Sequence, residues 1–321
     1  MCDFAAGVIL PSKGLEVPRV LSSLKESWTT YRVSSNIKRF PFKPGLPQEF
    51  EILEIAKTFN GFRKELTTPH RTEFHHIFWI QEGNPVHLVD FNPVQLRPNT
   101  ILFLKQGQVQ CLDKKGGFDG KVILFTDSFF CQHESDREFL RSSILFNDLF
   151  TISQLSVPSQ IEPFSGLFRQ MEVELSMEND RFQADVLRNL LRNFLYQAER
   201  ERRRQNFTEV KKGPDLDHVI QLNDLVEEQF RYQKQVRGFA EQMHITEKRL
   251  NGATSRVLGK TPKQVIDDRV VLEAKRLLAH TTSSVKQIGF ELGFEEPTNF
   301  IKYFRKHYGG TPLECRARYT S

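Results

Sequence analysis

Three polar residues near the C-terminal end have types and spacing suited to reading DNA. Thr298, Asn299 and Lys302 fall on one face of a predicted helix, opposite the apolar Phe300 and Phe304. An Asn side chain can bond an adenine edge, and a Lys side chain can bond a guanine edge or a phosphate. The alternative is an ordinary solvated surface. We predict that the three polar residues contact DNA and that the two Phe residues anchor the helix in the core.

The same arrangement occurs earlier in the chain, because residues 235–262 and 284–312 form a weak internal repeat. Each copy reads as a short helix, a tight turn, a second helix and a Gly-x-Thr-Pro end. Two helices joined by a short turn form a helix-turn-helix, whose second helix can lie in a major groove. Further predicted DNA contacts in the two copies are Lys248, Arg249, Asn251, Thr254, Arg256 and Lys306.

Positive charge is concentrated around this repeat. The 321-residue chain has a formal net charge of +5, whereas residues 231–306 alone carry +7 and the remainder −2. The basic excess therefore lies where phosphate contacts would be needed. A predicted helix, Pro262–His280, separates the copies and spans about 28 Å at a rise of roughly 1.5 Å per residue. Adjacent major-groove faces are about 34 Å apart, so one helix can hold both units on one side of a duplex.

The first half of the chain has a different periodicity. From about residue 50 to residue 150 the apolar residues follow a period of two, with turn signals between short segments. The predicted strands are Phe74–Gln81, Val86–Asp90, Val94–Arg97, Thr100–Leu104, Gln108–Leu112 and Lys121–Thr126. This pattern favours an antiparallel sandwich or small barrel. Residues 1–45 are weakly patterned and are predicted to form an arm or the first strands.

Two amphipathic helices are predicted after residue 161, with a break near Met177–Phe182. Their apolar stripe could form a dimer interface or pack against the barrel of the same chain. The stripe consists of Phe164, Phe168, Leu187, Leu191 and Phe194. After a charged linker, the sequence pattern of the rest of the chain predicts seven helices. The expected fold is therefore α+β and multidomain. It comprises a barrel domain (1–155), a helical dimerisation or linker region (156–214) and an all-α DNA-binding domain (215–321).

Three histidines, His70, His75 and His76, invite a metal-binding interpretation. Adjacent residues of a strand point to opposite faces, so His75 and His76 cannot converge on one ion. We predict neither a metal nor another cofactor, and we retain His70 and His76 as candidates for lining an effector cavity. The four cysteines have no metal-binding spacing, and no apolar run approaches the roughly 18 residues of a membrane span. We expect a cytoplasmic protein.

The last 107 or so residues resemble the DNA-binding domain of AraC/XylS-type bacterial transcription regulators. The residues that match the family signature are Gly293, Phe294, Phe300, Phe304, Arg305, Gly310, Thr311, Pro312 and Arg316. In the second copy, Gly289 replaces the usual Ala, Lys302 the usual Arg and Cys315 the usual aromatic residue. In the first copy, Gly252 stands at the position of a family Arg and Thr254 at that of a Phe.

The resemblance implies that the N-terminal half is a cupin-like barrel for effector binding or dimerisation. Pro69–Gly83 and Leu96–Val109 are similar to strands of such a barrel. We therefore predict a sequence-specific, effector-responsive transcription regulator that is not an enzyme. Its predicted partner is double-stranded DNA, and RNA polymerase, a small-molecule effector and a second copy of the chain are further candidates. The alternatives are a cupin that binds or converts a small molecule and a non-specific nucleic-acid binder.

Overall fold

The structure, a computed structural model, describes residues 37–42, 45, 47–157, 161–205 and 213–320. The described residues of the first half include ten strands. They are β1 (Lys38–Phe40), β2 (Phe50–Glu54), β3 (His70–Thr72), β4 (His75–Glu82), β5 (Val86–Val89), β6 (Asn92–Gln95), β7 (Thr100–Leu104), β8 (Gln110–Cys111), β9 (Asp119–Phe125) and β10 (Gln154–Ser156). One sheet has the order β1-β3-β8-β5-β6, and the other has the order β10-β7-β4-β9-β2. All pairings are antiparallel except that of β1 with β3, which is parallel.

The second sheet is buried on both faces, which explains the apolar β4 sequence. Phe78 and Ile80 point into the core between the sheets, whereas Ile77 and Trp79 face the opposite way. Four of the six predicted strands overlap an observed strand closely. The predicted strand Val94–Arg97 is displaced by two residues from β6, and Gln108–Leu112 shrinks to the two residues of β8. Of the predicted N-terminal arm, the structure describes β1 and a few neighbouring residues; the remainder lies outside the described residues.

The period of two predicted from about residue 50 to residue 150 does not hold over the whole stretch. Three helices lie in that stretch: α1 (Ile55–Leu66), α2 (Asp127–Phe130) and α3 (Glu134–Ser142). In α1, the buried residues Ile55, Phe59 and Phe62 have helical spacing and pack into the core between the sheets. The assumption of a single period over the whole segment concealed this local change.

The two helices predicted after residue 161 are α4 (Ile161–Ser176) and α5 (Gln183–Arg204). Their apolar stripe packs against the second sheet, with Phe168 against Trp79 at a ring-centroid distance of 5.0 Å. Phe164 and Phe194 meet edge to face at 5.3 Å. The stripe is therefore buried within one chain, and its interpretation as a dimer interface is wrong.

Seven helices, the number predicted, lie within the described residues 213–320. They are α6 (Pro214–Gln229), α7 (Val236–Gln242), α8 (Glu247–Leu258), α9 (Pro262–His280), α10 (Val285–Glu291), α11 (Pro297–Tyr308) and α12 (Pro312–Thr320). They share one core, in which Phe300, Phe304 and Cys315 are fully buried. In the part of the chain that the structure describes, no helix is sufficiently long and apolar to span a membrane.

Candidate nucleic-acid interface and effector cavity

The outer face of α11 carries the residues predicted to read DNA. Pro297 begins the helix, and Gly309 ends it in the left-handed conformation with φ of 82°. Phe300 and Phe304 fix the inner face in the core, where Phe300 packs against Phe294 at 5.4 Å. The side chains left on the exposed face include Thr298, Asn299, Lys302, Arg305 and Lys306.

The first helix-turn-helix has the same construction. The Thr246 hydroxyl accepts a hydrogen bond from the Arg249 amide at 3.1 Å and caps α8, while Gly259 ends the helix with φ of 64°. Leu250 and Ala253 hold the inner face in the core. Lys248, Asn251 and Arg256 are exposed, and Arg249 is half-buried.

Thr254 does not belong to this face, which corrects the prediction of a DNA contact there. Its exposed fraction is 0%, and its hydroxyl donates to the Asn251 carbonyl within the helix at 3.3 Å. The physical reason is helical geometry, because residue 254 lies one turn beyond Leu250 on the buried side. Its position corresponds to that of Phe304 in α11.

An acidic residue that sequence reasoning missed completes the first unit. Asp215, in the first turn of α6, accepts hydrogen bonds from the guanidinium groups of Arg249 and Arg256. The bonds from Arg256, and then those from Arg249, hold the pKa of the Asp215 carboxyl well below its usual value. No regular spacing links residue 215 to residues 249 and 256, so only the packing of α6 on α8 could reveal this contact.

Helix α9 connects the two units. The Thr261 hydroxyl and the Gln264 side chain form a capping box at its start, and Pro262 occupies the first turn. Ile266, Val270 and Leu277 bury one side of the helix in the shared core. The bounds of α9 are those predicted, so the two recognition helices are attached to a single 19-residue rod.

The N-terminal half contains a small cavity between its sheets. Its volume is about 50 Å³, and its walls are apolar apart from a few side chains that include His70, His76 and Gln110. The Gln110 amide lies 3.3 Å and 3.4 Å from the two ring nitrogens of His76, and its carbonyl accepts from Nε2 of His87 at 3.0 Å. The structure therefore places both histidine candidates at one cavity. His75 points to the other face and contacts Asp127 at 2.7 Å, as strand alternation predicts.

Burial keeps His70, His76 and His87 neutral near pH 7. It lowers the pKa of both His70 and His87 to about 4, with a backbone bond to the Thr68 carbonyl opposing the shift at His70 and the bond to Gln110 opposing it at His87. Burial also lowers the pKa of His76 well below its usual value, and neighbouring histidines add to the effect. Among the described residues, no group of three His, Cys, Asp or Glu side chains could hold a metal ion.

Buried ion pairs join the barrel to α9. Arg71 on β3 contacts Glu273 at 2.8 Å, and Arg276 binds Asp90 through two bonds of 2.7 and 2.8 Å. Arg276 also contacts Glu273 at 3.0 Å, so Arg71, Glu273, Arg276 and Asp90 form one connected series of alternating charges. Burial raises the pKa of Glu273, but Arg71, Arg269 and Arg276 outweigh it and bring the value to about 2.

A barrel with an internal cavity, packed against a helix that carries two helix-turn-helix units, defines a ligand-sensing DNA-binding protein. Comparisons with known proteins agree with this class. Residues 53–195 match the family model of the AraC-like ligand binding domain, and residues 239–318 match that of the helix-turn-helix domain. The chain belongs to the AraC/XylS-type transcription regulators, in which an effector-responsive N-terminal domain accompanies a DNA-binding C-terminal domain.

Individual relatives are distant. The chain is 20% identical over 255 residues to the HTH-type transcriptional activator RhaS of Escherichia coli, a match covering 77% of this chain and 86% of RhaS. ToxT from Vibrio cholerae O395 aligns over 85% of this chain and 99% of its own length, with 14% identity and a TM-score of 0.41. An AraC-type regulator from Chromobacterium violaceum aligns over 33% of this chain and 94% of its own length, with 24% identity and a TM-score of 0.30.

Proposed function

We propose that α8 and α11 enter adjacent major grooves on one side of a duplex. The observation that carries this proposal is the matched construction of the two helices. Each has twelve residues, a left-handed Gly at its end and an exposed polar face, and both pack around α9. The proposed DNA contacts are Lys248, Arg249, Asn251, Arg256, Thr298, Asn299, Lys302 and Lys306.

The cavity between the sheets is the proposed effector site. Two neutral histidines, His70 and His76, and Gln110 offer hydrogen bonds without charge, so a neutral, largely apolar small molecule suits the site best. A volume of about 50 Å³ is far below the roughly 300–1,000 Å³ that is usual for ligand pockets. An effector of ordinary organic size must therefore widen the cavity as it binds, which would move β3 and β8.

Both of those strands are linked to the DNA-binding part. His70 faces the cavity, and its neighbour Arg71 contacts Glu273 of α9. Across the sheet, Gln110 pairs in register with His70, and the amide of its neighbour Val109 donates to Asp90, the partner of Arg276. We propose that cavity widening shifts these ion pairs and so alters the availability of the two recognition helices. Any such effector must bind one arrangement more tightly than the other.

Several finer assignments belong to the same proposal. The protein regulates transcription without enzymatic activity, acts in the cytoplasm, and divides near residues 155 and 214. RNA polymerase and a second copy of the chain remain proposed partners, and a dimer would use a surface other than the buried stripe of α4 and α5.

The decisive experiment maps the DNA bound in cells and then measures binding to the recovered sites in vitro. We expect a recovered site to outcompete a scrambled duplex, whereas equal competition would favour a non-specific nucleic-acid binder. Metal analysis of the purified protein tests the enzymatic alternative, because stoichiometric Fe, Mn or Zn would favour a cupin enzyme.

For the cavity, an effector should raise the melting temperature of the native protein but not that of His76→Phe, in which the larger side chain fills the site. The matched control is His133→Phe, which changes an exposed residue.

A further inference from the structure

One position on the outer face of α8 has no side chain. Because α8 and α11 are equally long and end at Gly259 and Gly309, residues fifty apart occupy equivalent positions. Gly252 therefore corresponds to Lys302, which lies opposite the buried face of α11. A Gly inside a helix costs about 1 kcal/mol relative to Ala, so this one weakens the helix locally.

The guanidinium of Arg256 covers the vacant position. Arg256 follows Gly252 by one helical turn, and its side chain folds back along the helix surface. A Cβ atom added to Gly252 would lie 3.3 Å from both Nη1 and Nη2 of Arg256. The Arg256 side chain nevertheless remains 61% exposed. A cation thus stands on the outer face of α8 close to the place that Lys302 occupies on α11.

Asp215 holds this guanidinium in place. Nε and Nη2 of Arg256 donate to the two carboxylate oxygens, the latter at 3.0 Å, in a bidentate arrangement. Nη1 of Arg249 donates to Oδ1 of Asp215, the oxygen that also accepts from Nη2 of Arg256. Among the described residues no bond to Nη1 of Arg256 accompanies these bonds, so its two hydrogens are available on a side chain that is largely exposed. Two guanidiniums around one carboxylate keep a net charge of +1, which still attracts DNA.

We propose that Asp215 is a positioning residue for DNA recognition, which fixes the Arg256 guanidinium over Gly252. From there, Nη1 donates to an acceptor atom of DNA and replaces the contact that a side chain at position 252 would make. The inference rests on the proposed placement of α8 in a major groove. It adds that Gly252 and Asp215, neither of which touches DNA, determine the affinity of the first unit.

Asp215→Asn tests the positioning role by the sign of its effect. If the carboxylate positions Arg256, we expect DNA binding about five- to tenfold weaker, comparable to Arg256→Ala. A carboxylate that merely neutralised the arginines would give the opposite result, because its removal would release two cations near DNA. Tighter or unchanged binding by a folded Asp215→Asn protein would therefore overturn the proposal.

Gly252→Leu provides a second test that does not depend on charge. Leu favours the helix, so we expect a melting temperature at least equal to that of the native protein but about fivefold weaker DNA binding, because the Leu side chain displaces the guanidinium. In an Arg256→Ala background the same substitution should have little further effect. An equal loss in both backgrounds would show a steric clash with DNA and contradict the proposal.

Two further measurements define the outcome. The first is the slope of the logarithm of the DNA-binding constant against the logarithm of the salt concentration. If Arg256→Ala lowers the magnitude of this slope by about 0.9, the acceptor for Arg256 is a phosphate. If Arg256→Ala instead relaxes the preference at one base pair, the acceptor is a base edge. Lys302→Ala in the same assay distinguishes a failure of this inference from a failure of the proposed DNA interface. If Lys302→Ala weakens binding and the Asp215, Gly252 and Arg256 variants do not, only this inference fails. If none of the four variants changes binding, the proposed DNA interface itself is wrong.

Discussion

Asp90 and Arg276 join the two halves of the molecule, although 186 residues separate them in sequence. Asp90 belongs to the turn between β5 and β6 and has a φ of 47°, while Arg276 lies on the buried side of α9. Two hydrogen bonds connect the carboxylate to the guanidinium. Phe91, with φ of 70°, stacks on His280 of α9 at 5.3 Å beside this pair. The turn is thus held in an unusual backbone conformation where it meets the connecting helix.

Arg276→Met should loosen the contact between the barrel and α9. Removing one partner of a buried ion pair leaves the other charge uncompensated and costs about 3–5 kcal/mol. We expect a lower melting temperature together with faster amide hydrogen exchange in the turn between β5 and β6, which loses its anchor. Differential scanning calorimetry and hydrogen–deuterium exchange on the full chain measure the two effects.

Arg269→Met is the matched control for this change. Arg269 lies on the same helix, but its bonds go to Glu227 and Glu273, both within the C-terminal part. We expect this variant to lose stability without faster exchange in the turn between β5 and β6. If the two variants affected that turn equally, the bond to Asp90 would not be what holds the barrel in place.

Lys302→Ala and Asn299→Ala should weaken DNA binding in different ways. A Lys that contacts phosphate contributes equally to the binding of every DNA sequence. Lys302→Ala should therefore weaken binding to all duplexes and reduce by about 1 the slope of log affinity against log salt concentration. Asn299→Ala should relax selectivity at one or two base pairs, at a cost of about 1–3 kcal/mol on the preferred site. Binding titrations over a range of salt concentrations and base-pair substitutions measure both. Lys57→Ala, which removes an exposed Lys from α1 of the barrel, should bind as the native protein does.

Thr254→Val should leave DNA affinity within about twofold of the native value, because the residue is fully buried. The change removes a hydroxyl that bonds only within its own helix, so a stability change of about 1 kcal/mol is expected. Fluorescence anisotropy with a labelled operator and thermal unfolding provide the measurements. A loss of DNA affinity in a folded Thr254→Val protein would show that Thr254 contributes to the DNA interface.

The C-terminal elements could be predicted from sequence because their signals are local. The bounds of α8 and α9 follow from Thr caps, terminal glycines and apolar periodicity within a few residues. The inward position of Thr254 was also predictable, since it occupies the place of Phe304. By contrast, the pairing of β2 with β9, the contact of Asp215 with Arg256 and the bond between Asp90 and Arg276 join residues far apart in sequence. No local pattern encodes such contacts, so they appear only once the chain is packed.

The buried histidines predict that the protein loses stability in mild acid. His70 and His87 have pKa values of about 4 in the folded protein, whereas an unfolded chain protonates histidine near 6.5. The unfolded state therefore binds more protons between pH 6.5 and pH 4, and stability falls as the pH decreases through this window. Each group contributes a slope of about 1.4 kcal/mol per pH unit there. Glu273 acts in a lower window, since its stabilisation is lost only as the pH falls from about 4.5 towards 2.

His87→Gln isolates one of these groups, because glutamine is uncharged over the whole window. We expect its free energy of unfolding, measured by urea titration at several pH values, to vary less steeply by about 1.4 kcal/mol per pH unit between pH 6.5 and pH 4. His244→Asn changes an exposed histidine whose φ of 54° suits asparagine, and this control should keep the native slope. An unaltered slope in His87→Gln would mean that His87 takes up its proton in the folded protein, and at mildly acidic pH a charge would then lie beside Gln110, which lines the cavity.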